Sequence, residues 1–207
     1  MPVEKIEHKA DFSWGLWRIT EPENVLQNSL TGIDLIPENI THPTKRLEFL
    51  SGRVLAKVLL EERGFRYSGI SKNEEGKPRF NNQPLQLSLS HSFPYVAALL
   101  HTANSAGIDV EQPKAKLVKI APRVLNPEEL SDAGVNETKL CVYWCAKESL
   151  VKVYGKKDLV FATEMSIESF RLETCGMITG HIIKNGTTLT IPLMYQIFDG
   201  LVVVHTM

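Results

Sequence analysis

Two carboxylates stand two residues apart in Gly107-Ile108-Asp109-Val110-Glu111. Side chains alternate across a strand, so Asp109 and Glu111 would share one face and Ile108 and Val110 the other. Neighbouring acids repel, and a divalent cation relieves the repulsion. Mg²⁺ suits such a pair, because it takes one or two carboxylates and completes its shell with water and phosphate oxygens. A half-exposed strand with a solvated acidic face has the same pattern. A second group lies in Trp144-Cys145-Ala146-Lys147-Glu148-Ser149-Leu150-Val151-Lys152. On a helix, Trp144, Glu148 and Lys152 form one stripe, with Lys147 about 100° away. Alone, Glu148 and Lys152 are also an ordinary surface pair worth ~0.2–0.5 kcal/mol. Ser90-His91-Ser92 places a histidine between hydroxyls, where it can donate to a phosphate or simply cap a turn. Lys77, held between Gly76 and Pro78, is either a phosphate ligand or a solvated turn lysine. A serine hydrolase is disfavoured, since no Gly-x-Ser-x-Gly elbow is present. Neither a P-loop nor a dinucleotide-type glycine loop occurs.

These residues need elements to hold them. Apolar alternation over Trp14–Ile19 predicts a strand. A helix is predicted from about Thr44 to Arg63, with Leu47, Leu50, Val54 and Val58 as its apolar stripe and Gly64 as its stop. Lys45, Arg46 and Arg53 load that helix with positive charge. Strands follow around Leu85–Leu89 and Tyr95–His101, with Ser90 to Pro94 as the turn between them. A third strand ends at Glu111. Asn126-Pro127-Glu128-Glu129 is a helix start with a cap, a proline at the first position and an acid three residues after the cap. A longer helix is predicted over about Glu137–Tyr154, ending at Gly155. The tail from Met165 to Val204 reads as a strand meander with turns at Gly176, Asn185-Gly186 and Asp199-Gly200. The predicted class is α+β, in two similar halves, 1–103 and 104–207. Each half packs a helix on a mainly antiparallel sheet, in a pseudo-two-fold arrangement with the site at their interface.

Composition narrows the function. With 207 residues, 43% of them hydrophobic, the chain has enough material for a core. A formal net charge of −1 argues against a nucleic-acid binder that works by neutralising many phosphates. No apolar run approaches the ~20 residues of a membrane helix. The N-terminal residues lack a signal-peptide core, so no membrane association and a cytoplasmic location are expected. Three cysteines make no disulfide framework. Cys141 and Cys145 are read as buried thiols.

In their order along the chain (basic helix, Gly-Lys-Pro, Ser-His-Ser, Gly-Ile-Asp-Val-Glu, Trp-x-x-Lys-Glu-Ser-x-x-Lys) these features resemble the 4′-phosphopantetheinyl transferases. The resemblance spans about Arg46 to Lys152. Chain length resembles the larger monomeric type, related to the activators of surfactin and enterobactin synthetases, rather than the shorter trimeric acyl-carrier-protein synthases. It implies transfer of 4′-phosphopantetheine from coenzyme A to a serine of an apo acyl or peptidyl carrier protein, with release of 3′,5′-ADP. Asp109, Glu111 and Glu148 would hold Mg²⁺. Glu148 would be the base, with Glu111 as second candidate, and Lys152 would stabilise the departing nucleotide. His91 and a first-half arginine, Arg46 before Arg53, would meet the 3′-phosphate. Lys77 and Ser90 would hold the nucleotide end, and Lys147 would reach the pyrophosphate. Trp144 would pack rather than touch ligand. Lys116, Lys119 and Arg123 would help dock the acidic carrier protein. Two alternatives stay open: a coenzyme A-binding protein without transfer activity, and an Mg²⁺-dependent pyrophosphate hydrolase.

Overall fold

Turn residues and apolar alternation divide the computed structural model, which describes residues 3–30, 34–156 and 158–207, into two units, Met1–Ala106 and Gly107–Met207. The boundary falls three residues beyond the expected 103/104. The architecture is α+β with two antiparallel sheets.

The first unit contains β1 (Val3–His8), β2 (Phe12–Arg18), α1 (Glu23–Ser29), α2 (Pro43–Glu62), β3 (Ile70–Lys72), β4 (Pro78–Phe80), β5 (Gln86–Ser92) and β6 (Tyr95–His101). Its sheet runs β1-β2-β6-β5-β4-β3. Pro43 starts α2 at a position where a missing N–H costs nothing. Leu50, Leu55 and Leu59 of α2 pack against Trp17, Val96 and Leu100 of the sheet. Helix and sheet come close at Gly15, where a Cβ would lie 2.9 Å from Leu55. Ser90 and His91 belong to β5 rather than to a turn. They pair with Ala97 and Val96, and only Phe93-Pro94 turns the chain.

The second unit contains β7 (Ile108–Glu111), α3 (Lys116–Val124), α4 (Pro127–Ala133), α5 (Glu137–Tyr154), α6 (Phe161–Glu164), β8 (Met165–Ile167), β9 (Cys175–Lys184), β10 (Thr187–Phe198) and β11 (Leu201–Thr206). Its sheet runs β7-β11-β10-β9-β8. Asn126 and Glu129 form the reciprocal capping box that opens α4. Gly155, at φ 81°, closes α5. The hairpin turns at Asn185-Gly186 and Asp199-Gly200 have positive φ at both residues, the conformation these dipeptides favour. Gly176 does not turn the chain. It lies inside β9, where a Cβ would meet the Tyr195 ring at 2.9 Å. The glycine there serves a close ring contact, which in sequence looks the same as a turn signal. Leu150, Tyr143, Leu193, Tyr195 and Val202 anchor the core between α5 and the sheet. No helix among the described residues is long and apolar enough to cross a membrane.

Candidate active site

The acidic strand and the Lys-Glu helix meet in the second unit. Among the described residues β7 is an edge strand, paired through β11, with Asp109 opposite Val204. Gly107 lets α5 pass directly over the start of this strand. A Cβ there would overlap the Ser149 carbonyl oxygen and come within 2.9 Å of Val153. That close passage, helped by a Ser149 hydroxyl bond to the Val204 carbonyl at 3.0 Å, brings Lys152 over β7. Its Nζ donates to the Ile108 carbonyl at 2.6 Å and to Asp109 Oδ1 at 2.8 Å. The Asp109 side chain is only 10% exposed. Glu148, one turn before Lys152, is half-buried beside the same aspartate. Burial first, and then the charge of Asp109, push the Glu148 carboxyl above the usual carboxylate range, while Lys152 draws it back. Two acids and one ammonium therefore share this corner.

Glu111 stands differently. Its Oε1 accepts from the Gln112 N–H at 2.9 Å. Lys114 and Lys116 lie 3.7 and 3.9 Å from its two oxygens. Among the described residues, no three His, Cys, Asp or Glu side chains form a group arranged to hold a metal ion. Asp109 and Glu148 act on each other as neighbouring acids, while Glu111, on the same strand, is engaged by Lys114 and Lys116. The pair still fits Mg²⁺, which needs only one or two carboxylates when phosphate and water complete its shell. The raised Glu148 carboxyl marks a place where added positive charge is favourable.

Lys147 does not face this corner. It is 0% exposed and ion-paired to Glu129 at 2.6 Å. Its Nζ also donates to the carbonyls of Val124, Phe161 and Met165 at 2.9, 2.9 and 3.0 Å. Burial holds the ammonium below the usual lysine range, and Glu129 pulls it partly back. The expectation that Lys147 reaches a pyrophosphate is therefore corrected. A fully buried ammonium surrounded by one carboxylate and three carbonyls is a clamp, joining α5 to the end of α3, to α4 and to the segment entering β8. Trp144 packs, stacked on Phe161 with centroids 6.0 Å apart. Cys141 and Cys145 are buried, and burial pushes the Cys145 thiol well up, as inert core thiols require.

The first unit holds its own cavity, of about 710 Å³. Ser90, His91 and Arg53 line it, together with Lys45, Lys72 and Glu48. Arg53 is buried, lies 3.4 Å from the Phe49 ring centroid and pairs with Asp34 at 3.3 Å. Asp34 in turn accepts from the Tyr67 hydroxyl and from the Ile70 N–H. Arg46 turns elsewhere, bound in a fork to Glu23 at 2.8 and 2.6 Å. Arg46 is thus engaged by Glu23 of α1, while Arg53 lines the cavity. Lys77 sits in the β3–β4 turn, outside the cavity lining, with burial lowering its ammonium from the usual range. Lys45 and Glu48 were visible in sequence only as charges on a helix. Asp34 and Tyr67 carry no local signal at all, since they meet across the fold.

Residues 105–185 match the family described as the 4′-phosphopantetheinyl transferase superfamily. A Haemophilus influenzae protein provisionally named as a 4′-phosphopantetheinyl transferase is 28% identical over 144 residues, which cover 59% of this chain and 60% of that protein. The chain thus spans about 60% of the length of the curated relative it matches. The acidic strand and the Lys-Glu helix both lie inside the stretch that is similar to the 4′-phosphopantetheinyl transferase superfamily.

Proposed function

We propose that this protein transfers 4′-phosphopantetheine from coenzyme A to a serine hydroxyl of an apo acyl or peptidyl carrier protein. The serine oxygen forms a bond to the phosphorus that carries the pantetheine arm. The pyrophosphate P–O bond breaks, and 3′,5′-ADP leaves. The observation that carries this reading is the Asp109–Glu148–Lys152 corner, set within the stretch that matches the family.

Asp109 and Glu148 would hold Mg²⁺, with Glu111 joining from the same strand face. Bound there, the ion would offset charge on the pyrophosphate and orient it. Glu148 takes the serine proton, directly or through water, since a hydroxyl is a poor nucleophile until a base removes its proton. Lys152 meets the charge that develops on the departing nucleotide. His91, Ser90 and Arg53 supply donors for the phosphorylated nucleotide end, and Lys77 remains a candidate for it. Lys116, Lys119 and Arg123 are exposed on α3 and offer an acidic carrier a basic docking face. The protein acts as a monomer in this reading.

Incubation with apo carrier proteins, coenzyme A and Mg²⁺, followed by intact-mass measurement, tests it. A phosphopantetheine-sized gain on the carrier serine is expected. Coenzyme A binding without any gain across acyl and peptidyl carriers would instead favour a binding protein. Phosphate or phosphopantetheine released without a carrier would favour a hydrolase.

A further inference from the structure

The cavity of the first unit contains an acid that the chemistry above leaves unused. Glu48 is 5% exposed and lines the cavity beside His91. Its Oε2 is 2.7 Å from Lys45 Nζ and 3.4 Å from His91 Nδ1. Neither approach has hydrogen-bond angles, so this buried oxygen is ion-paired but accepts no directed bond. A negative charge in the wall of a pocket that takes a phosphate opposes binding by Coulomb's law. It must act on a neighbour to be useful. His91 is the neighbour able to change state: it is half-exposed, and a carboxylate beside an imidazole favours the charged ring. A charged ring donates from both nitrogens, whereas a neutral one donates from one.

We propose that Glu48 is a positioning residue for anion recognition, holding the His91 ring as a two-donor cation so that the cavity discriminates for the 3′-phosphate of coenzyme A. The proposal rests on the reading of His91 as a phosphate contact. The other charged and titratable groups lining the cavity are Lys45 and Arg53 on α2, Lys72 on β3, and Asp34 and His42 in the segment before α2. Arg53 and Asp34 largely cancel as a pair 3.3 Å apart. Lys45 competes with His91 for the same oxygen, and Lys72 opposes the charged ring. Glu48 is a carboxylate that lies against the ring itself, 3.4 Å from its Nδ1.

Glu48→Gln keeps the shape and removes the charge. The full-length, ligand-free protein is followed first, by NMR titration of the His91 ring, assigned from its loss in His91→Asn. In Glu48→Gln the ring should titrate lower by about one pH unit, and in Lys45→Met it should titrate higher. Calorimetry then compares coenzyme A with dephospho-coenzyme A. At pH 8, Glu48→Gln should bind coenzyme A about five- to ten-fold more weakly, with the dephospho form changed less than two-fold. At pH 6, where the ring is charged in either protein, the difference should close. A His91 titration unmoved in both variants overturns the proposal, as does tighter coenzyme A binding by Glu48→Gln, the outcome of charge removal alone. Lys45→Met works from the opposite direction should Glu48→Gln fold poorly. If the parent protein binds no coenzyme A, the transferase reading fails, while the ring titration still decides whether Glu48 controls His91.

Discussion

Replacing Lys147 by Met should unfold the second unit far more readily while leaving ligand affinity almost untouched. Lys147 is 0% exposed, and Glu129 is 2% exposed, so removing the ammonium strands a carboxylate in the core. Glu129 would retain the N–H groups of Asn126 and Ile167, both at 2.8 Å, but lose its cation at 2.6 Å. Three carbonyls lose the same donor. Breaking a buried pair by removing one partner costs about 3–5 kcal/mol, and the orphaned carbonyls are included in that figure rather than added to it. Against a typical stability of ~5–15 kcal/mol this is a large share. With a urea slope of ~1–3 kcal/mol/M, the midpoint should fall by about 2 M. Hydrogen exchange read during urea unfolding separates the unit of Lys147 from the other. The double variant Lys147→Met/Glu129→Gln should regain roughly 1–2 kcal/mol, since it removes the stranded charge. A midpoint within ~0.3 M of the parent would refute the clamp. So would a ten-fold loss of coenzyme A affinity in Lys147→Met under conditions where it remains folded, because that would return the lysine to the ligand.

Three other outcomes are expected. Glu148→Gln should lower transfer by at least ~10²-fold, the range of a lost general base, with coenzyme A still bound; full turnover by mass assay would remove Glu148 as the base. Gly107→Ala should cost about 1–3 kcal/mol or more and lower activity, because the new Cβ overlaps the Ser149 carbonyl and separates β7 from α5; an unchanged melting temperature would mean the helix does not pass so close. Burial raises the Asp132 carboxyl, but the Tyr143 hydroxyl at 2.5 Å and Lys139 at 2.9 Å outweigh it and hold the group below its ordinary 3.8. The stability this gives the parent over Asp132→Asn is present above pH 3.8 and lost as pH falls through the lower folded value. The two melting curves should converge in acid, and a gap that widens there would contradict the pairing.

Much of the scaffold was legible because it obeys local rules. Asn126 and Glu129 announce α4 by capping, Gly155 ends α5 at φ 81°, and Asn185-Gly186 turns a hairpin at positive φ. The alternation that buries Ile108 and Val110 also fixes Asp109 and Glu111 on the opposite face. The errors share one cause. Gly176 looked like a turn but lies under a ring from the neighbouring strand, and Ser90 and His91 looked like a turn but continue a ladder with β6.

Sequence by itself determined which residue types lie on which face of which element, and so the acidic strand, the Lys-Glu helix and the family resemblance they carry. Only the tertiary structure decided that Lys147 is a buried clamp, that Glu23 captures Arg46 and leaves Arg53 on the cavity, and that Glu48 lies against His91. The physical reason is reach. Backbone conformation responds to neighbours a few residues away, whereas a long charged side chain has several rotatable bonds and bonds to whichever partner the packing of remote segments brings near it.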